Sequence, residues 1–135
     1  MSPANCHAWI LLSVPEDPAT LDRVIGIADA VNHAIPTHQE LQDSLGFLRA
    51  SGMIVKNEHC YHLADAGRTL LANVRNLPTD SIFDIWNRLE SELSRIELAS
   101  YEPDNLPASV VADACATYNT RFWEQYQQLT AKGEV

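Results

Sequence analysis

Thr37-His38-Gln39-Glu40-Leu41-Gln42-Asp43-Ser44-Leu45-Gly46-Phe47-Leu48-Arg49-Ala50-Ser51-Gly52-Met53-Ile54 is the stretch whose reading decides the fold. Thr37 and Glu40 form a Thr-x-x-Glu capping box, in which each side chain satisfies a backbone N–H that the first helical turn leaves without a partner. Leu41, Leu45 and Leu48 follow at helical spacing and mark one buried face. Gly52 supplies the left-handed residue that ends a helix, so the spacing predicts a helix over Thr37–Ser51. Beyond it, Met53-Ile54-Val55 and Cys60-Tyr61-His62-Leu63 flank the polar run Lys56-Asn57-Glu58-His59, the pattern of a β-hairpin. Ala64 to Arg68 then leads into a further helical stretch, Thr69 to Val74.

Working back from Thr37, Pro36 disfavours helical geometry at Ile35 and so closes the preceding segment. That segment, starting at Thr20, carries Leu21, Val24, Ile25, Ala28 and Val31 at helical spacing and stops near Asn32. His33 at this end favours the helix dipole. Pro15-Glu16-Asp17-Pro18 is a breaker cluster and reads as a loop. Before it, Asn5 is the expected cap of a short helix, Cys6–Val14, apolar nearly all round and therefore buried.

The order helix, helix, tight turn, helix, hairpin, helix is that of the winged helix-turn-helix, with the hairpin as the wing. The run from Leu41 through Leu45 to Gly52-Met53-Ile54 resembles the third helix and first wing strand of bacterial winged-helix regulators. Tyr61-His62-Leu63-Ala64-Asp65-Ala66-Gly67 resembles their Tyr-x-Leu-Thr-x-x-Gly exit from the wing, with Ala64 in the usual Thr position. The resemblance covers roughly residues 6–74. The whole plan is similar to that of PadR- and MarR-like regulators, which join a winged helix to dimerising helices. The stretch Asp29–Thr37 looks like a set of bacterial winged-helix proteins to which no activity is attached. The resemblance implies a DNA-binding transcriptional regulator whose third helix enters the major groove while the wing meets the adjacent backbone.

After Leu77-Pro78 the chain changes character. Thr79 or Asp80 is the expected cap of a helix with Ile82, Ile85, Trp86, Leu89, Leu93 and Ile96 on one seam. A loop, Tyr101-Glu102-Pro103-Asp104-Asn105-Leu106-Pro107, precedes a last helix with Val111, Cys115, Tyr118, Phe122 and Leu129 on a second seam, and Trp123 and Tyr126 beside it. The fold class expected is therefore mainly α with a small β-hairpin wing: a winged-helix domain over residues 1–76 and a C-terminal helical extension over 77–135. Two such seams need something to pack against, either their own domain or a second copy, and a homodimer is the expectation.

Composition bounds the function. With 46% hydrophobic and 20% charged residues, the chain is globular. The net charge is −9, of which −3 falls in residues 1–76 and −6 in 77–135, and acidity of this size repels nucleic acid and anionic lipid at long range. Cys6, Cys60 and Cys115 are odd in number and scattered, so they read as reduced thiols. Without a signal-peptide pattern or an apolar run long enough for a bilayer, the expectation is a cytoplasmic protein with no membrane partner.

Residues expected to meet DNA are Thr37, His38, Gln39 and Gln42 on the third helix, Arg49 at its end and Lys56 on the wing. Gln39 and Gln42 suit adenine edges, and Thr37, Arg49 and Lys56 suit phosphates. Yet no Lys or Arg lies between Thr37 and Leu48, where a base reader normally carries them. The same residues equally read as a solvated, well-capped helix face. The second functional expectation follows: a winged helix serving as a protein–protein interaction module without DNA binding.

His59-Cys60-x-His62 offers at most two converging ligands on a strand, too few for a structural zinc site, so no metal and no cofactor are expected. No phosphate loop, nucleophile elbow or metalloprotease His pair occurs, which argues against an enzyme. Asp84, Glu90, Glu92 and Glu97 read as a solvated helix face. Trp86, Tyr118, Phe122, Trp123 and Tyr126 read either as a packing core or as the lining of a ligand pocket.

Overall fold

A computed structural model describes residues 1–131; the last four residues of the C-terminal extension lie outside the described residues. The chain is mainly α-helical with one small antiparallel sheet. Helix α1 (Pro3–Leu12) begins earlier than its apolar run suggests, because Ser2 Oγ accepts from Asn5 N (3.2 Å) and Pro3 stands in the first turn, where its missing N–H costs nothing. Asn5 is therefore not the cap. Its side-chain amide instead donates to Glu90 Oε2 (3.0 Å). Cys6 through Leu12 are buried on every side of the helix, as its composition requires.

Strand β1 (Ala19–Thr20) takes up the junction between the expected loop Pro15–Pro18 and the helix expected from Thr20. Helix α2 (Leu21–Asn32) follows it directly and ends at His33 in the left-handed conformation, φ 54°. Helix α3 (His38–Ala50) has both capping-box bonds: Glu40 N donates to Thr37 Oγ1 (3.1 Å), and Thr37 N donates to Glu40 Oε1 (2.9 Å). Gly52, at φ 76°, turns the chain out of α3. Strands β2 (Ile54–Asn57) and β3 (Cys60–Leu63) form the expected hairpin around a Glu58-His59 turn, pairing Ile54 with Leu63 and Asn57 with Cys60. β1 adds to the free side of β3, giving the order β1-β3-β2. The pairing is invisible locally, since two residues between breakers carry no strand periodicity.

Helix α4 (Asp65–Arg75) follows, then α5 (Ile82–Ser94), whose N-cap position is Ser81 and not Thr79 or Asp80 and makes no side-chain capping bond, and α6 (Ala108–Ala131). α5 lies along α1: Trp86 Nε1 donates to Asn5 O (3.0 Å), and the Trp86 ring stacks on Trp9 at 6.4 Å. The first half of α6 lies on α2, where Tyr118 Oη donates to Asp29 Oδ2 (2.6 Å) and Arg121 pairs with Asp22 (2.7 Å). That hydrogen bond and partial burial push the Tyr118 pKa up to about 12. One buried cluster runs from Trp9, Leu41, Leu45 and Tyr61 through Leu89 and Leu93 to Leu106 and Val111. The core therefore crosses the boundary expected near residue 76.

Candidate functional site

Between α5 and α6 the chain runs across α3 and the hairpin as an irregular strap, residues 101–107, which contains Pro103 and Pro107. Its backbone is docked on α3. Asp104 N donates to Gln42 O (2.8 Å). The approach is close enough that a Cβ on Gly46 would stand 2.4 Å from Glu102 O, 2.8 Å from Pro103 Cα and 2.9 Å from Asp104 N. Only glycine fits there without displacing the strap.

At the middle of the strap, the carboxylate of Asp104 is 2% exposed and gathers three donors. Tyr61 Oη donates at 2.6 Å from β3, Lys56 Nζ at 3.0 Å from β2, and the Arg49 guanidinium from the end of α3. A buried carboxylate is tolerated only when paired and hydrogen-bonded in this way. Burial pushes its pKa up, but the bonds from Tyr61, Lys56 and Arg49 outweigh it and hold the group below the usual carboxylate range. Tyr61 is driven the other way, by burial and by donating to that carboxylate, so its hydroxyl stays protonated.

Four of the six residues expected to meet DNA are engaged by this strap. Arg49 and Lys56 hold Asp104. His38 Nε2 donates to Leu106 O, and Gln42, with its amide nitrogen toward the strap, donates to Asp104 O (3.2 Å) and Leu106 O (3.1 Å). Thr37 is exposed, with its hydroxyl spent on the helix cap. Gln39 is exposed, on the rim of a cavity of about 250 Å³ lined also by Cys6, His7, Asp43 and Tyr101.

The floor of that cavity is a buried polar trio. His7 Nδ1 lies 2.8 Å from Ser44 Oγ, which donates to Cys6 Sγ (3.3 Å), while the imidazole stacks on Phe47 at 4.2 Å. Burial lowers the His7 pKa and raises that of Cys6, so imidazole and thiol are both uncharged near neutral pH. A protonated, buried thiol is a poor nucleophile. On the hairpin, His62 Nδ1 donates to Leu63 O (3.1 Å), leaving His59 in the turn. Among the described residues, no three His, Cys, Asp or Glu side chains are grouped to hold a metal ion. None of the described helices is long and apolar enough to cross a membrane.

The five aromatic residues singled out above in the C-terminal helices are divided between different surroundings. Trp86 is buried against α1 and Tyr118 half-buried against α2, whereas Phe122, Trp123 and Tyr126 stand exposed beyond them. Sequence reading misses Asp104, Tyr61 and Gly46 as a unit. Gly46 inside a strong helical pattern, and a carboxylate between two prolines, are the signals that point to it. No family model, curated protein or solved structure matches the chain.

Proposed function

We propose that this chain is a winged helix used as a protein-interaction module, with its third helix and wing turned to its own strap and not to duplex DNA. The element order, the capping box entering α3 and the hairpin extended by β1 support the winged-helix reading. The observation that carries the functional reading is the Asp104 cluster. A groove-reading helix needs free cations for phosphates and free amides for base edges. Here Arg49 and Lys56 are matched to an internal carboxylate, and Gln42 is matched to strap carbonyls. The net charge of −9 opposes an approach to phosphate in the same direction.

The test is binding to random-sequence duplex DNA at about 50 mM and about 200 mM salt, for the native chain and for Asp104→Asn. The interaction-module reading expects no binding by either protein. Binding by the native chain that falls steeply with salt would overturn it. Binding gained only by Asp104→Asn would point instead to a DNA reader whose surface the strap covers.

A further inference from the structure

The cavity of about 250 Å³ beside the start of α3 has a floor that is only half satisfied. His7 is 5% exposed and held from two sides: its ring stacks on Phe47, and its Nδ1 lies 2.8 Å from Ser44 Oγ. The Ser44 hydroxyl spends its proton on Cys6 Sγ (3.3 Å), so its oxygen is left to accept and Nδ1 carries the ring proton. The other ring nitrogen, Nε2, is then a bare lone pair. It has no hydrogen-bond partner among the described residues, is not sealed from solvent, and belongs to a ring that lines the cavity. Such an acceptor, set in a side chain that is otherwise buried, calls for a donor from whatever enters.

The walls add negative charge and an aromatic ring. Asp43 lines the same cavity, half-buried, and forms no ion pair among the described residues. Its field reaches His7, Cys6 and Tyr101. Glu40 lines it too, with Oε1 bound to Thr37 N and Oε2 left over. Tyr101 closes the site edge-on to His7, with ring centres 6.4 Å apart. A nitrogen lone pair, two carboxylates and an aromatic ring are complemented by a positive group with several N–H donors. A bare metal ion does not fit, since no three ligating side chains are grouped to hold one among the described residues.

We infer that this cavity binds a small organic ammonium ion, which donates to His7 Nε2, has its charge met by Asp43 and lays its apolar body against Tyr101. The three N–H groups of a primary ammonium serve both acceptors at once. Ser44 is a positioning residue here, because its oxygen fixes the tautomer that presents the lone pair. The cavity volume keeps the ligand small.

The experiment titrates benzylammonium chloride into the full chain at neutral pH and follows the ring-nitrogen NMR signals of the histidines. Benzyl alcohol and benzoate, of the same size, are the neutral and anionic controls. Benzylammonium is expected to bind with a dissociation constant of about 1 mM, the range open to a ligand of about eight non-hydrogen atoms. His7 Nε2 is expected to be the signal that moves most, and both controls are expected to bind at least about tenfold more weakly. Asp43→Asn should weaken benzylammonium by about tenfold, whereas Asp17→Asn, on an exposed loop, should leave it unaltered. No saturation up to about 50 mM overturns the inference, as does benzyl alcohol binding as tightly as the ammonium. So does an Asp43→Asn variant that binds like the native chain or no worse than Asp17→Asn. Signal changes confined to His59 and His62 would place the ligand on the hairpin and overturn it as well.

Discussion

The α3–hairpin face and the outer half of α6 both read, in the sequence, as surfaces waiting for a partner, yet the fold treats them oppositely. The first is polar, and seven residues of irregular chain suffice to satisfy it. One carboxylate, Asp104, meets Tyr61, Lys56 and Arg49, and two backbone carbonyls of the strap meet His38 and Gln42. The second is apolar, and apolar surface is removed from water only by an equal area of something else. α2 is too short to supply that area, so the seam past Tyr118 is exposed as far as residue 129. Polar complementarity is local and can be met by a loop. Apolar complementarity is extensive and calls for another element or another chain.

The largest effect that can break this contrast is at Asp104. Asp104→Ala strips three donors of their acceptor inside the fold and is expected to cost about 3 kcal/mol, read from urea denaturation. Glu124→Ala on the exposed face of α6 is the matched control and should stay within about 0.5 kcal/mol. Equal losses at the two sites would erase the distinction between a closed face and an open one.

Next in size is Gly46→Ala. The added methyl gains about 1 kcal/mol of helix propensity but collides with strap backbone that has nowhere to go. Overpacking of this kind costs about 1–3 kcal/mol, so a net loss of about 1 kcal/mol is expected. Faster proteolysis within residues 95–107 would locate the damage in the strap. A variant as stable as the native chain, and no more readily cleaved, would mean that the strap rests loosely on α3.

Acid sharpens the comparison further. Asp104 has a folded pKa below its ordinary value of 3.8, so its stabilisation is complete above that pH and lost as pH falls through the folded value. His7 also has a lowered folded pKa, so the unfolded chain takes up its proton first as pH drops below 6.5, and stability falls from there. Urea midpoints measured from pH 8 to pH 3 should therefore decline in two stages. His7→Gln should remove the upper stage and leave the lower. A single decline below pH 4 in the native chain would mean that His7 is hydrated in the fold. The smallest effect is at the open seam: Trp123→Ser should move monomer stability by no more than about 0.5 kcal/mol. A loss several times larger, measured at a concentration where the chain is monomeric, would place Trp123 in its own core.

Much of the architecture is legible because its causes are local. The Thr37–Glu40 box, the leucine spacing of α3, the glycine at 52 and the alternation into the hairpin each act within a few residues. The helix start at Ser2 and not Asn5 was open to misreading, since both residue types cap and only Pro3 breaks the tie. β1 was not legible at all, because Ala19 and Thr20 become a strand only by meeting Tyr61 and Cys60. The candidate site was half legible. The side chains of α3 and the hairpin are legible, but not the Asp104 that engages them from far along the chain.

The sequence by itself determined which stretches are helical and which of their faces are apolar, since these follow from periodicity and capping over a turn or two. Tertiary structure alone decided which surfaces those apolar faces and the polar ones meet. Asp104 lies 43 residues from Tyr61 and 55 from Arg49, and no spacing rule links residues so distant. Their meeting depends on the path of the strap, which is set by the room over Gly46 and by the anchoring of α5 on α1 and α6 on α2. Burial and pairing are properties of that packed whole, so the fate of a surface is fixed only once the chain has closed over it.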